Sequence, residues 1–277
     1  MTDTVLAMFT PNRLRVPAIL ASALLLVAAL VAAAATRPAT RGNLRLTSSG
    51  PTNAGKVYRW GNSQWHDGFT EPVRRAWKVN RPRYVDDQHG MLTLNATAAP
   101  HTVSAEYTGH ARRYGRWETR VRAVQYSHRH TPYRIVAELI PAGSRAYHCG
   151  GRNIELSSYR LGAHRAHFAA RNRPDVQFTF AKRRDLGPRI FHTYAVEVTR
   201  RHISWFVDAH VVMTERRAAA RSGEMFSVRF RMVAVKGHRM NPGRMQMDWI
   251  RCYTLARKNA RSIDAPHAHR SVYRRAC

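Results

Sequence analysis

Between residues 54 and 256 the chain is cut into short apolar runs rich in Val, Ile, Tyr, Phe and Trp, each bounded by turn residues. M-L-T-L-N-A follows D-D-Q-H-G, W-E-T-R-V-R-A-V follows R-Y-G, and Y-R-I-V-A-E-L-I precedes P-A-G. Further along come T-Y-A-V-E-V-T, I-S-W-F-V, V-R-F-R-M-V-A-V and M-Q-M-D-W-I-R-C-Y. Many of these runs alternate polar and apolar positions, the period of a half-buried strand. Amphipathic helical stretches are scarce, and no period of 20 to 50 residues marks a repeat array. The pattern predicts an all-β domain of two packed antiparallel sheets, a jelly-roll sandwich.

The flanks differ. Arg13 and Arg15 precede an apolar stretch from Val16 to Ala35, 20 residues and long enough to span a bilayer as a helix. The positive flank predicts an N-terminus inside, with everything after about residue 37 outside the cytoplasm. Residues 1–36 therefore read as a short cytoplasmic stub with a signal peptide or signal anchor. Residues 37–53 read as a linker rich in Thr, Ser, Pro, Gly and Arg, and residues 257–277 as a flexible basic tail. The first cysteine is Cys149, so no cysteine near the apolar stretch is available for lipidation.

Charge adds a candidate partner class. The chain has 46 Lys plus Arg against 17 Asp plus Glu, a formal net charge of +29, so its surface should attract polyanions. Of the 46 basic residues 41 are Arg, a bias that an arginine-rich coding background also produces. Nucleic acid is disfavoured, because the sequence has no helix-turn-helix spacing, paired-cysteine zinc site or aromatic single-strand-binding signature. An anionic envelope polymer or lipid head groups fit at least as well, given the export signal. Of three cysteines, Cys149 and Cys252 make the first disulfide to test and Cys277 is left over. The pairs His128/His130, His164/His167 and His267/His269 have metal-compatible spacing, but 15 histidines generate such pairs by chance, so neither metal nor cofactor is expected. No G-x-S-x-G elbow supports a serine nucleophile. Asn95-Ala96-Thr97 is a glycosylation sequon, and His192 reads as a packed strand residue.

The order of the strands carries a resemblance. H-D-G-F-T-E-P-V-R-R-A-W contains Asp67, Phe69 and Trp77, and a strand follows the turn at Asp87 to Leu94. Y-G-R-W-E-T-R-V-R spans Tyr114 to Arg122, F-H-T-Y-A-V-E-V-T spans Phe191 to Thr199, I-S-W-F-V-D-A spans Ile203 to Ala209, and M-D-W-I-R-C-Y closes the series. Together, over roughly Trp60 to Leu255, they resemble glycoside hydrolase family 16, the jelly-roll β-glucanases. The resemblance implies a concanavalin-like jelly roll that acts on or binds a polysaccharide.

That family's catalytic strand reads E-I-D-I-x-E, or E-I-D-I-E without a bulge. Here the matching segment is N-I-E-L-S-S-Y. Placing Ile154 and Leu156 on the apolar positions puts Asn153 at the nucleophile, Glu155 at the central acid, and Ser157 (unbulged) or Ser158 (bulged) at the acid/base. Retaining hydrolysis needs a carboxylate nucleophile and a second carboxyl group about 5 to 5.5 Å away. Asn cannot replace the first, and Ser is a poor general acid. Glu155 is the remaining catalytic candidate. Glu118, Arg120, Tyr147, Asn153 and Tyr159 are the substrate-binding candidates the resemblance implies.

Three readings follow. The first is an exported or anchored envelope domain that binds polysaccharide without standard retaining hydrolysis. A second is a divergent hydrolase or transglycosylase in which Glu118 or Glu138 supplies a partner to Glu155. The third is an envelope scaffold that docks another protein through its arginine-rich faces.

Overall fold

A computed structural model describes residues 52–72, 75–143, 151–172, 175–188 and 190–273, all of which fall in the unit Ser49–Cys277. The expected membrane-spanning or signal segment, Tyr147, Cys149 and Cys277 lie outside the described residues. Among those described, no helix is long and apolar enough to cross a membrane.

Sixteen strands are described. In chain order they are β1 (Trp65–Asp67), β2 (Trp77–Val79), β3 (Val85–Asp87), β4 (Leu92–Ala96), β5 (Val103–Tyr107), β6 (Gly115–Gln125), β7 (Arg134–Pro141) and β8 (Ile154–Arg160). They continue as β9 (Arg165–Asn172), β10 (Val176–Arg183), β11 (His192–Val198), β12 (Ile203–Val207), β13 (His210–Glu215), β14 (Phe226–Val233), β15 (Gly243–Tyr253) and β16 (His269–Val272). The first sheet runs β13-β12-β11-β6-β15-β4-β3, with β1 also paired to β15. The second runs β16-β10-β9-β8-β7-β14-β5-β2. Neighbouring strands in both sheets are antiparallel, as the alternating pattern predicts.

Alternation decides which side chains fill the space between the sheets. Trp117, Val121, Tyr194, Val196, Trp205 and Met245 come from the first sheet. Ile135, Leu139, Ile154, Leu156, Phe168, Phe178 and Phe230 come from the second, and all belong to one buried cluster. On β11 even the opposite face is buried, because Ala195 packs with Phe206 and Tyr253 beneath a short helix, α1 (Ala54–Val57), together with Tyr58 and Trp60. This second cluster covers part of the outer face of the first sheet.

One expectation needs correcting. The tail from residue 257 is part of the domain rather than a free extension. Asn259 bonds to Trp60 and Glu197, and β16 adds an edge strand to β10, with Val176 opposite Val272 and Thr179 opposite His269. The exposed edge of β10 would otherwise leave backbone donors and acceptors unpaired, and a short polar segment suffices to satisfy them. The thiol of Cys252 is free and buried; Cys149, its first candidate partner, lies outside the described residues.

Candidate functional site

Strand β8 lies inside the second sheet, between β7 and β9, with Ile154, Leu156 and Tyr159 turned to the core. Its pairing with β7 slips between Ala137 and Glu138, so that Glu138 faces Glu155 while Ala137 faces Ser157 and Val136 faces Ser158. One extra residue on β8 is the signature of a bulge. The bulge selects between the two serines: Ser158 shares the outer face with Asn153 and Glu155, and Ser157 does not. A bulge frees backbone groups from the ladder, and Trp205, reaching across from the first sheet, donates its indole N–H to the carbonyl oxygen of Glu155 at 2.9 Å.

On that outer face, two carboxylates are each enclosed by donors. Glu155 Oε1 accepts from Arg134 at 2.5 Å and from Arg171 at 2.8 Å, and Ser158 donates to its Oε2 at 2.8 Å. Glu138 Oε1 accepts from Arg229 Nε at 2.9 Å and lies 2.7 Å from Arg231 Nε, while Asn153 donates to its Oε2 at 2.7 Å. Asn153 and Ser158 therefore act as donors to the acids beside them.

The electrostatics follow from these contacts. Burial alone would push Glu155 up, but Arg171 and Arg134, with the hydrogen bonds from Arg171 and Ser158, outweigh it and hold the carboxyl down to about 2. Glu138 is fully buried, and Arg231 and Arg229 more than offset that burial, so its pKa is lowered too. Both groups are ionised at neutral pH. A general acid calls for the opposite shift, a pKa raised toward the working pH.

The groove beside Glu155 has a volume of about 390 Å³. Four arginines (Arg134, Arg160, Arg165 and Arg171) and His167 border it, against the single acid Glu155.

Of the residues expected from sequence, Asn153, Glu155 and Ser158 are brought together. Glu118 and Arg120 are not. Both sit on β6, in the first sheet, and face away from the core on the side opposite the groove. Glu118 is buried under α1, accepts from the Gly55 N–H and Tyr253 hydroxyl at 3.3 Å each, and is raised to about 7 by burial. Arg120 pairs with Asp248 at 2.5 Å and lies over the Phe191 ring. Tyr159 is also corrected. Its ring is in the core, where burial pushes its hydroxyl pKa up, so it contributes to the floor of the groove and offers no exposed stacking face. His192 is held as expected, between Asp208 Oδ2 at 2.7 Å and the Asp185 carbonyl at 2.6 Å. Among the described residues no group of His, Cys, Asp and Glu could hold a metal ion.

The four arginines around Glu138 and Glu155 were missed. For Arg229 and Arg231 the signal is the alternation V-R-F-R-M-V on β14, which places both on the face opposite Phe230.

No family model matches the chain, and no curated protein matches its sequence. Solved structures do match its shape. A non-specific endo-β-1,3(4)-glucanase of glycoside hydrolase family 16, crystallised with a glucan oligosaccharide at its active site, is 14% identical with a TM-score of 0.59, covering 70% of this chain and 94% of its own. The laminarinase of Rhodothermus marinus is 16% identical with a TM-score of 0.57, covering 70% and 97%. A laminarinase from a Flavobacterium species is 17% identical with a TM-score of 0.56, covering 70% and 100%. The chain thus has the jelly-roll fold seen in the family 16 glucanases.

Proposed function

We propose that this domain binds a polysaccharide along the outer face of its second sheet and leaves the glycosidic bonds intact. The saturation of Glu138 and Glu155 carries the reading. Every carboxylate oxygen in the pair already has an arginine, amide or hydroxyl partner, so no free nucleophile and no protonated acid face the groove. Similarity in shape to glucan-binding enzymes supports a glycan as the ligand class. The apolar stretch at 16–35, read as an export signal or anchor, supports a place outside the cytoplasm.

One observation favours a second reading. Glu138 and Glu155 are directly opposite across β7 and β8, which is the spatial relation a catalytic carboxylate pair needs.

A single experiment separates the two. The full chain is titrated with a glycan panel by calorimetry while released reducing ends are measured in the same samples between pH 4 and 8. Binding with no reducing ends supports the proposal. Release that disappears in both Glu138→Gln and Glu155→Gln establishes the hydrolase instead.

A further inference from the structure

Charges across a strand pair contribute when opposite and cost stability when alike. At one end of the outer face of the second sheet, two like pairs occur together. Arg134 is directly opposite Arg160 across β7 and β8, and Arg165 is directly opposite Arg183 across β9 and β10. Arg160, Arg165 and Arg183 are exposed, and Arg160 and Arg165 have no acidic partner among the described residues. The one acid bordering the groove, Glu155, already serves Arg134 and Arg171. Exposed His167, opposite Ser158, completes the rim. Among the described residues no acid is paired with Arg160, Arg165 or Arg183 to offset bringing these cations together.

We infer that the end of the groove bounded by Arg134, Arg160, Arg165 and His167 takes the carboxylate or sulfate groups of an acidic polysaccharide. The inference rests on the proposed glycan-binding reading and specifies its ligand class. Guanidinium groups match both oxyanions through paired N–H donors. Adjacent strands lie about 4.8 Å apart, so the arginines form a repeating set that an acid group on successive sugars can meet more than once. A neutral glycan fits less well, because the aromatic residues bordering the groove, Tyr159 and Phe168, have 4% and 0% exposure and present no ring face for sugar stacking. The same lack argues against single-stranded nucleic acid, whose bases need exposed aromatic platforms.

The test titrates the full chain with polygalacturonate, dextran sulfate, unsubstituted dextran, laminarin and oligo-dT at fixed ionic strength. The two acidic polymers separate the carboxylate and sulfate sources. At least one should bind about tenfold or more tighter than dextran or laminarin, as loss of one or two charge-assisted contacts implies. Arg160→Ala/Arg165→Ala should remove about tenfold or more of that affinity. Arg200→Ala/Arg201→Ala, which deletes the same charge at an exposed turn of the first sheet, should leave it unchanged. Circular dichroism and thermal midpoints establish that both variants are folded.

Equal affinity for a neutral and an acidic glycan overturns the anionic specificity and leaves glycan binding standing. Failure of every glycan to bind overturns both. The inference is also overturned if oligo-dT binds as tightly with the same sensitivity to Arg160→Ala/Arg165→Ala, or if the turn variant loses as much affinity as the groove variant.

Discussion

Replacing Glu155 by Gln removes the charge that two arginines share while keeping the size of the side chain. The depression of its carboxyl from 4.5 to about 2 corresponds to about 3 kcal/mol of native-state stabilisation at neutral pH, at about 1.4 kcal/mol per pKa unit. A second route gives a similar size. Stripping one partner from a buried ion pair costs about 3–5 kcal/mol, and here the partner left behind is Arg171, whose side chain is 9% exposed. Arg134 adds less, since its side chain is 40% exposed and water screens it. Glu155→Gln should therefore lower the thermal midpoint by about 6–12 °C at pH 7, given about 2–4 °C per kcal/mol for a domain of this size.

The pH dependence has a definite sign. Because the folded-state pKa is depressed, the stabilisation is complete above the ordinary value of 4.5 and is lost as pH falls toward about 2. The difference between wild type and Glu155→Gln should close over that window in thermal or urea unfolding. Adding Arg171→Gln should cost less than the two single losses combined, because the second change removes the cation left unpaired by the first. An isolated active-site acid behaves in the opposite way, since relieving its strain often raises stability. A Glu155→Gln midpoint equal to or above wild type at pH 7 would refute the ion-pair account of this face.

On the opposite side of the sandwich, Glu118 should have the reverse effect. Burial raises its pKa to about 7, so stability should fall by about 3 kcal/mol as pH rises from 4.5 through 7, and Glu118→Gln should flatten that slope in midpoints measured from pH 4 to 8. Arg160→Ala should raise the unligated protein's stability by about 0.2–1 kcal/mol in urea unfolding, because it removes a like-charge pair with Arg134. A loss of stability would show that the pair is not repulsive. Asn153→Glu/Ser158→Glu, which restores acids to the family's positions, should still release no reducing ends from laminarin in a soluble-sugar assay. Activity in that double variant would show that the arginines do not block the acid chemistry.

The fold was legible because alternating Val, Ile, Phe and Trp positions depend on burial, and burial depends on the strand period. The same logic placed Asn153 and Glu155 on one face once Ile154 and Leu156 were assigned to the other. It could not choose between Ser157 and Ser158, because the bulge is a property of β8 paired to β7 and leaves no mark in β8 alone. For Glu118 and Arg120, alternation established a shared face of β6 without telling which sheet that strand joins. Their sheet is the one on the far side of the core. The C-terminal strand escaped notice because H-R-S-V has no apolar period, and backbone pairing to the edge of β10 is what orders it. In a chain with 41 arginines, Arg134, Arg171, Arg229 and Arg231 could not be distinguished from the rest until registers brought them to two glutamates.

Asn153, Ser158 and the arginines around them explain one another. Arg134 approaches Ser158 Oγ at 3.3 Å while holding Glu155, so a carboxyl group at position 158 would meet the same cation and be pulled toward the ionised form. A general acid there would lose its proton before it could transfer it. At position 153 the neighbour is Glu138, itself ionised by Arg229 and Arg231, and a second carboxylate would face like charge where the Asn153 amide now donates a hydrogen bond. Asn and Ser are thus the residue types that this cationic surrounding stabilises, since each supplies a donor to an existing carboxylate without adding charge. The arginines beyond the pair, at 160 and 165, have no such internal acid to satisfy. The same arginine-rich surroundings that keep Glu138 and Glu155 ionised continue to the end of the face, where, on the proposed reading, an acidic chain supplies the partner that Arg160 and Arg165 lack.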